Sequence, residues 1–290
     1  MKRPWGLTLF ASLILVVSTT TSAQRRLPLD VYVADDNGWC VTSTLIYGIT
    51  EAVLIDTQYY KSHAAKLADR VAATGARLKA IIITHPHDDH YMGSATIHER
   101  FPDTPIYMTA AALEDFKQKS AGAITGMKKY VPAETPDTLP LPQILPTPHL
   151  LVDGQAVEVM QGQGDDLNVT NSYVWIPSLR ALITGDIVFN GVHVWLTNSN
   201  EQSRAAWLVS LSQLAALHPR ILVAGHKKSV GAKDGADALA FTGKYIRDFE
   251  ATRKSATNAE ELFAAMKTKY PDVALADKIL SRTARKAFSK

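Results

Sequence analysis

The stretch "LKAIIITHPHDDHYMG" joins an unbroken apolar run to three histidines and two aspartates packed into six positions, His85 to His90. A continuous apolar run of this length reads as a strand buried on both faces, as in a sheet covered on either side. It ends at His85, so the polar cluster begins where the strand leaves the core, which is where sites form in mixed α/β folds. His85 and His87 are two apart, and in an extended backbone both can face one point. Asp89 and His90 can turn toward a second point beside it. Imidazole nitrogen and carboxylate oxygen suit zinc, and also iron or manganese. A solvated loop with accidental histidines would rarely place four such groups in six positions at the end of a hydrophobic strand.

The rest of the chain supplies a scaffold for that strand. Residues 39 to 47 and 51 to 56 read as two strands around Gly48, and "SHAAKLADRVAATG" as a helix capped by Ser62 and stopped at Gly75. Beyond the cluster come a helix at 94 to 100, a strand at 105 to 109 and a helix from Ala111 to Lys119. The proline-rich stretch 132–148 can sustain neither helix nor central strand, and reads as an extended loop that wraps the surface or covers the site. Strand signals return at 155 to 160, 172 to 177, 180 to 186 and 220 to 226. A helix at 202 to 217 puts Trp207, Leu208, Leu211, Leu214 and Ala215 on one face. Asn258 and Glu261 have capping-box spacing in the helical C-terminal region. This order suits an α/β protein with a sheet-on-sheet core and helices outside.

Residues 1–23 read as a signal peptide: Lys2 and Arg3, an apolar run from Leu7 to Val17, then the small residues Thr21, Ser22 and Ala23. The run is shorter than the roughly 20 residues that span a bilayer, so no stable membrane insertion is expected after cleavage. The expected destination is the periplasm or the exterior. Residues 24–290 then form one domain. Cys40 is the only cysteine, so no internal disulfide is available, and stability must come from the core of a chain that is 46% hydrophobic. Removing Lys2 and Arg3 brings the 31 basic residues almost level with the 28 acidic ones, which argues against nucleic acid as a partner. The basic run "SRTARKAFSK" at the C-terminus reads as a solvated helix face.

His85-Pro-His87-Asp-Asp89-His90 resembles the H-x-H-x-D-H signature of the metallo-β-lactamase superfamily. "AVLIDT" is similar to the family strand that ends in a buried aspartate supporting the ligands, here Asp56. "LITGD" is similar to the one that ends in a metal-bridging aspartate, here Asp186, and "LVAGH" to the one that ends in the last histidine ligand, here His226. The resemblance covers roughly residues 30 to 230. It implies an αββα sandwich and a binuclear site for two divalent metal ions, zinc first, with iron or manganese as alternatives. His85 and His87 would hold one ion, Asp89, His90 and His226 the other, and Asp186 would bridge. The implied chemistry is hydrolysis by a metal-bridging hydroxide, with Asp89 and Asp186 as catalytic carboxylates.

One position departs from the family pattern. A glycine-rich turn usually brings a further histidine to the first metal, but here it reads "GQGDD"; one of Asp165 and Asp166 is expected to supply that ligand, Asp165 first because it directly follows Gly-Gln-Gly. A third carboxylate makes the centre less positive. The expected substrates are therefore neutral or weakly charged small-molecule carbonyl compounds rather than phosphate esters. Asp186 in place of cysteine favours a carboxylic ester or lactone hydrolase. The order of Asn171 and "VWIP" after the turn keeps β-lactamase activity as an alternative. An iron-dependent oxidoreductase and an inactive metal-binding module are two further alternatives on the same fold.

Around the site, Tyr91, Phe189, His193 and Trp195 are candidate pocket walls, since they follow the ligand motifs directly. Lys227 and Lys228 read as solvent-facing, with steering of a substrate carboxylate as the alternative.

Overall fold

A computed structural model describes Met1 and residues 26–289. The signal-peptide reading falls, apart from Met1, outside the described residues. The strands are β1 (Leu29–Val33), β2 (Thr42–Tyr47), β3 (Glu51–Ile55), β4 (Arg77–Ile82), β5 (Ile106–Met108), β6 (Gln143–Ile144), β7 (His149–Val152), β8 (Gln155–Gln161), β9 (Ser172–Ile176), β10 (Ala181–Ile183), β11 (Phe189–Asn190), β12 (Ile221–Val223) and β13 (His226–Lys227). The helices are α1 (Lys61–Ala73), α2 (Asp88–Tyr91), α3 (Ser94–Arg100), α4 (Ala110–Tyr130), α5 (Glu201–Ala216), α6 (Asp237–Ser255), α7 (Ala259–Lys269) and α8 (Ser281–Phe288).

Strands β1 to β6 form one sheet in sequence order, and β12-β10-β9-β8-β7 form a second. Their facing surfaces share one core: Ile46, Val53, Ile55, Ala80 and Ile82 meet Val157, Val159, Val174, Ile176, Ala181, Ile183 and Val223. Alternate residues point the other way. Leu45, Leu54 and Ile81 pack beneath α1, α3 and α4 with Leu67, Ile97, Leu113 and Phe116. Leu182 and Leu222 pack beneath the C-terminal helices with Trp207, Leu214, Ile246, Phe249 and Leu262. Period-two alternation with both faces covered explains why these strands read as apolar runs. Each such side chain, fully buried, contributes about 1.5–3 kcal/mol. The architecture is the expected αββα sandwich.

Several local expectations differ. Helix α1 starts at Lys61 with Tyr60 at its cap, so Ser62 lies inside the first turn, where its N–H donates to Glu134 (2.9 Å). Helix α4 runs well past Lys119, because Ala123, Ile124 and Met127 continue the apolar face that packs on the sheet. The proline-rich stretch follows it as the edge of the first sheet, with β6 paired to β5. It runs along that edge rather than over the site. The cap at Asn258 forms as expected, its side chain accepting the Glu261 N–H at 2.8 Å.

Candidate metal centre

The parallel pairs β3/β4 and β10/β12 end on the same side of the sandwich, and the residues just beyond those ends converge. Asp56 follows β3, His85 and His87 follow β4, Asp186 follows β10 and His226 begins β13 just beyond β12. Gly225 is required for this convergence: a Cβ there would sit 2.5 Å from Asp186 Oδ1 and from the Gly185 carbonyl. Helix α2 supplies Asp89 and His90, and the turn between β8 and β9 supplies Asp165.

The ligand-type atoms fall into two groups, His85, His87, Asp165 and Asp186 in one and Asp89, His90 and His226 in the other, each within a 4.8 Å span. Asp186 stands between them. Its Oδ2 lies 3.5 Å from His85 Nε2 and 3.6 Å from His87 Nδ1, while Oδ1 lies 3.1 Å from His90 Nε2 and 3.3 Å from His226 Nε2. Asp165 Oδ2 approaches His87 Nδ1 at 3.2 Å, and Asp89 Oδ2 approaches His226 Nε2 at 3.4 Å.

Hydrogen bonds behind the rings indicate what fits in front. The Trp39 carbonyl can only accept, so His226 Nδ1 donates to it at 2.7 Å and the neutral ring turns a lone pair inward from Nε2. His90 Nδ1 meets Asp56 Oδ2 at 2.8 Å with the same result, and Asp56 also accepts from Thr84 N–H (2.8 Å) and Thr84 Oγ1 (2.9 Å). In the neutral rings lone pairs thus face carboxylate oxygen, an arrangement that is repulsive until a proton or a metal ion lies between them. His85 Nε2, His90 Nε2, Asp165 Oδ2 and Asp186 Oδ1 are buried with no hydrogen-bond partner. Buried orphans of this kind are costly, and two divalent cations would satisfy all four.

Asp165 and Asp166 take different positions. Asp165 faces inward, is fully buried and accepts from Asn171 Nδ2 at 3.0 Å. Asp166 lies behind His87, with Oδ1 3.3 Å from Nε2 and its other oxygen bonded to Thr170. Asn198 Nδ2 joins it on the same ring atom at 3.2 Å. Although buried, Asp166 is held down to about 2 by hydrogen bonds from His87 and Thr170, whereas burial pushes Asp165 well above the carboxylate range.

Burial alone would lower His87, His90 and His226, but the surrounding carboxylates override it and raise all three above the ordinary imidazole value. Without metal the surrounding carboxylates thus favour proton uptake by these rings, and a metal ion would compete with those protons. Metal loading is expected to release protons, and affinity to fall by up to about tenfold per unit drop in pH for each proton displaced. Titration calorimetry in buffers of different ionisation enthalpy reads this directly, and a buffer-independent heat would count against it.

Of the candidate walls, Trp195 and Tyr91 line a cavity of about 850 Å³ above the ligand groups. Phe189 and His193 do not. Backbone pairing of β11 with β13 turns Phe189 beneath the site, where it is fully buried and stacked on the His226 ring (centroids 5.2 Å apart, planes 2° apart). His193 is also fully buried, with Nδ1 2.8 Å from the Tyr245 hydroxyl, and burial lowers it to about 4. Between pH 6.5 and 4 the unfolded chain thus binds a proton that the native chain refuses, so stability falls as pH falls. Between pH 6.5 and 4.5 the fall is expected to be smaller in His193→Gln by about 2 kcal/mol. Urea unfolding across that range tests it, and identical pH slopes would refute it.

Sequence reasoning missed other parts of the cavity. Trp39, Tyr59, Asn198 and the α4 residues Met127 and Tyr130 line it, as do Arg282 and Lys286 from the basic C-terminal run. They come from segments far from the ligand motifs, and only Trp39 lay in a segment read as a strand. Lys227 is not solvent-facing: it is 2% exposed and paired with Asp234 at 2.8 Å.

Fold and ligand arrangement together define a metal-binding αββα protein. The chain belongs to the Metallo-beta-lactamase superfamily (Lactamase_B), which it matches over residues 37–226. Among solved structures it is similar to the metallo-beta-lactamase family protein TTHA1429 from Thermus thermophilus (TM-score 0.61, 20% identity, 88% of this chain and 92% of that one). It is also similar to a metallo-beta-lactamase from Pontibacter korlensis (TM-score 0.56, 18% identity, 77% and 100%). A segment is 31% identical over 86 residues to the coenzyme F420H(2) oxidase of Methanocaldococcus jannaschii, spanning 28% of this chain and 21% of that protein. Among the described residues no helix is long and apolar enough to cross a membrane.

Proposed function

We propose that the chain is a metal-dependent hydrolase of carboxylic ester or lactone bonds, exported to the periplasm or beyond. The observation that carries this reading is the pair of ligand groups, with inward-facing orphan atoms, at the floor of a cavity whose lining includes Trp39, Tyr91, Met127 and Trp195. His85, His87 and Asp165 would hold one divalent ion, Asp89, His90 and His226 the other, and Asp186 would bridge both, with zinc the first expectation. Bound there, such ions supply Lewis acidity and a water acidified toward neutral pH. The remaining tasks fall to the chain. Asp56 and the Trp39 carbonyl fix the His90 and His226 rings in the tautomer that turns Nε2 inward. Asp166 accepts from His87 Nε2–H behind the ring, which turns the Nδ1 lone pair inward. Asp89 borders the cavity and is placed to accept a proton at Oδ2 as the acyl bond is attacked. Trp195, Tyr91 and Met127 exclude water from the acyl portion.

The test is turnover by metal-replete protein of a neutral lactone, an aryl ester, a thioester and a β-lactam. Chelator-sensitive turnover of the ester or lactone is expected, and dominant β-lactam turnover would move the reading to a β-lactamase. Bound metal with no turnover of any of them would refute hydrolysis. The local likeness to the F420H(2) oxidase supports a second reading, an iron-dependent oxidoreductase. Iron in protein purified without added metal, together with oxygen consumption, would favour it. N-terminal sequencing of the exported protein is expected to begin at Gln24.

A further inference from the structure

The cavity has two chemically opposite sides. Its floor carries Asp88, Asp89, Asp186 and His226, while its outer wall carries Arg282 and Lys286, one helical turn apart on the same face of α8. Three observations set these two cations apart from other basic groups nearby. Lys119 also lines the cavity, but it is paired with Asp115 at 2.7 Å. Lys227, next to the last histidine, is committed to Asp234 beneath the surface. Among the described residues neither Arg282 nor Lys286 has an acidic partner within ion-pair distance.

The wall is also held in place. The Arg282 guanidinium lies over the Trp39 ring at 4.7 Å, and Trp39 stands edge-on to Trp195 (6.4 Å, 89°). That contact seats the guanidinium against the indole, and among the described residues no acidic side chain takes up its N–H groups. Thr283, buried between the two cations, contacts Leu196 N–H (3.5 Å) and Thr197 Oγ1 (3.3 Å) on the loop that forms another part of the wall. Arg253 bonds the Ala287 carbonyl at 3.1 Å and lies 4.0 Å over Phe288, which closes the end of α8.

We propose that Arg282 and Lys286 form an anion-recognition wall that selects carbonyl substrates carrying a carboxylate separated from the reacting bond by an apolar segment. A guanidinium matches a carboxylate through two parallel N–H donors, and the neighbouring ammonium adds a point charge. Apolar groups that line the same cavity, Trp195, Ile279 and Met127 among them, suit the intervening segment. A cavity of about 850 Å³ holds both ends of one small molecule. The inference rests on the hydrolase reading for the identity of the reacting group. It also refines the expectation of neutral substrates, which holds for the bond at the metal centre and not for the far end of the molecule.

The test compares mono-4-nitrophenyl glutarate with 4-nitrophenyl valerate, which share acyl length and leaving group and differ in the terminal carboxylate. Metal-loaded full-length protein is expected to prefer the glutarate ester by about tenfold or more in kcat/KM. In the Arg282→Gln/Lys286→Gln double variant that ratio collapses toward one, mainly through KM, and Arg282→Lys retains part of it. Glutarate alone is expected to give a saturable change in tryptophan fluorescence that the double variant loses. A ratio unchanged by the double substitution, or a native preference for valerate, overturns the proposal. If neither ester is hydrolysed by protein that binds metal, the hydrolase reading fails, and the glutarate titration then decides the anion wall alone: a response lost in the double variant upholds it, and any other result overturns it. Both charged ends are exposed, so the substitutions leave the core of α8 intact.

Discussion

Replacing Asp165 with alanine is expected to cost the site one of its two proposed metal ions and to lower kcat/KM by about a thousandfold, the scale of losing a charge-stabilising centre. Replacing Asp166 is expected to leave both metals in place and weaken metal affinity by about ten- to a hundredfold. The two side chains are adjacent in sequence and both are nearly or fully buried, so burial does not separate them. Direction does. Asp165 Oδ2 is a buried atom without a partner and faces His87 Nδ1, whereas Asp166 is bonded to Thr170 and lies against His87 Nε2 on the far side of the ring. Metal analysis of both variants after dialysis is the measurement. Equal metal loss, or loss only in Asp166→Ala, would reverse the assignment.

The second large effect lies beneath the centre. Asp56 is 2% exposed and accepts from the Thr84 N–H, the Thr84 hydroxyl and His90 Nδ1, so Asp56→Ala strands three buried donors at once. A loss of about 3 kcal/mol or more in folding stability is expected, since each buried unpaired donor costs about 1–3 kcal/mol. Metal affinity at His90 falls with it, because the ring loses the partner that fixes its tautomer. Asn in the same position keeps one acceptor oxygen and is expected to recover part of both losses. Chemical denaturation with parallel metal binding measures the pair, and an unchanged unfolding midpoint in Asp56→Ala would dismiss this role.

The residues at the floor were legible in the sequence because each stands at the end of a strand whose burial shows as an apolar run: His85 after "KAIII", Asp186 after "ALIT", His226 after "ILVAG". The walls were not, for a different physical reason. Phe189 and His193 follow Asp186 closely, yet the pairing of β11 with β13 and the buried bond to Tyr245 send both side chains away from the cavity. Arg282 and Lys286 read as an ordinary charged helix face, and both are exposed. What places them at the cavity is the docking of α8 through Thr283, a contact between residues 86 to 87 positions apart in sequence. The sequence signal for α4 stops early because Gly122 and Gly126 weaken helix propensity, while packing of Ile124 and Met127 carries the helix through.

Trp39 and Cys40 are both left-handed (φ 63° and 55°), a conformation seldom taken by two consecutive residues that carry side chains. It turns the Trp39 carbonyl onto His226, 187 residues away, while the Cys40 carbonyl accepts the Lys227 N–H and Thr42 N–H bonds Gly225. The last ligand therefore acquires its orientation only when the start of the domain has closed on residues 224 to 227. Contacts this distant form slowly, because the loop entropy must be lost before they return any stabilisation. Refolding of the metal-free chain should accordingly stall with the first ligand group assembled and the second incomplete, and an ion held by the second group would act as a clasp that makes the late closure hard to reverse.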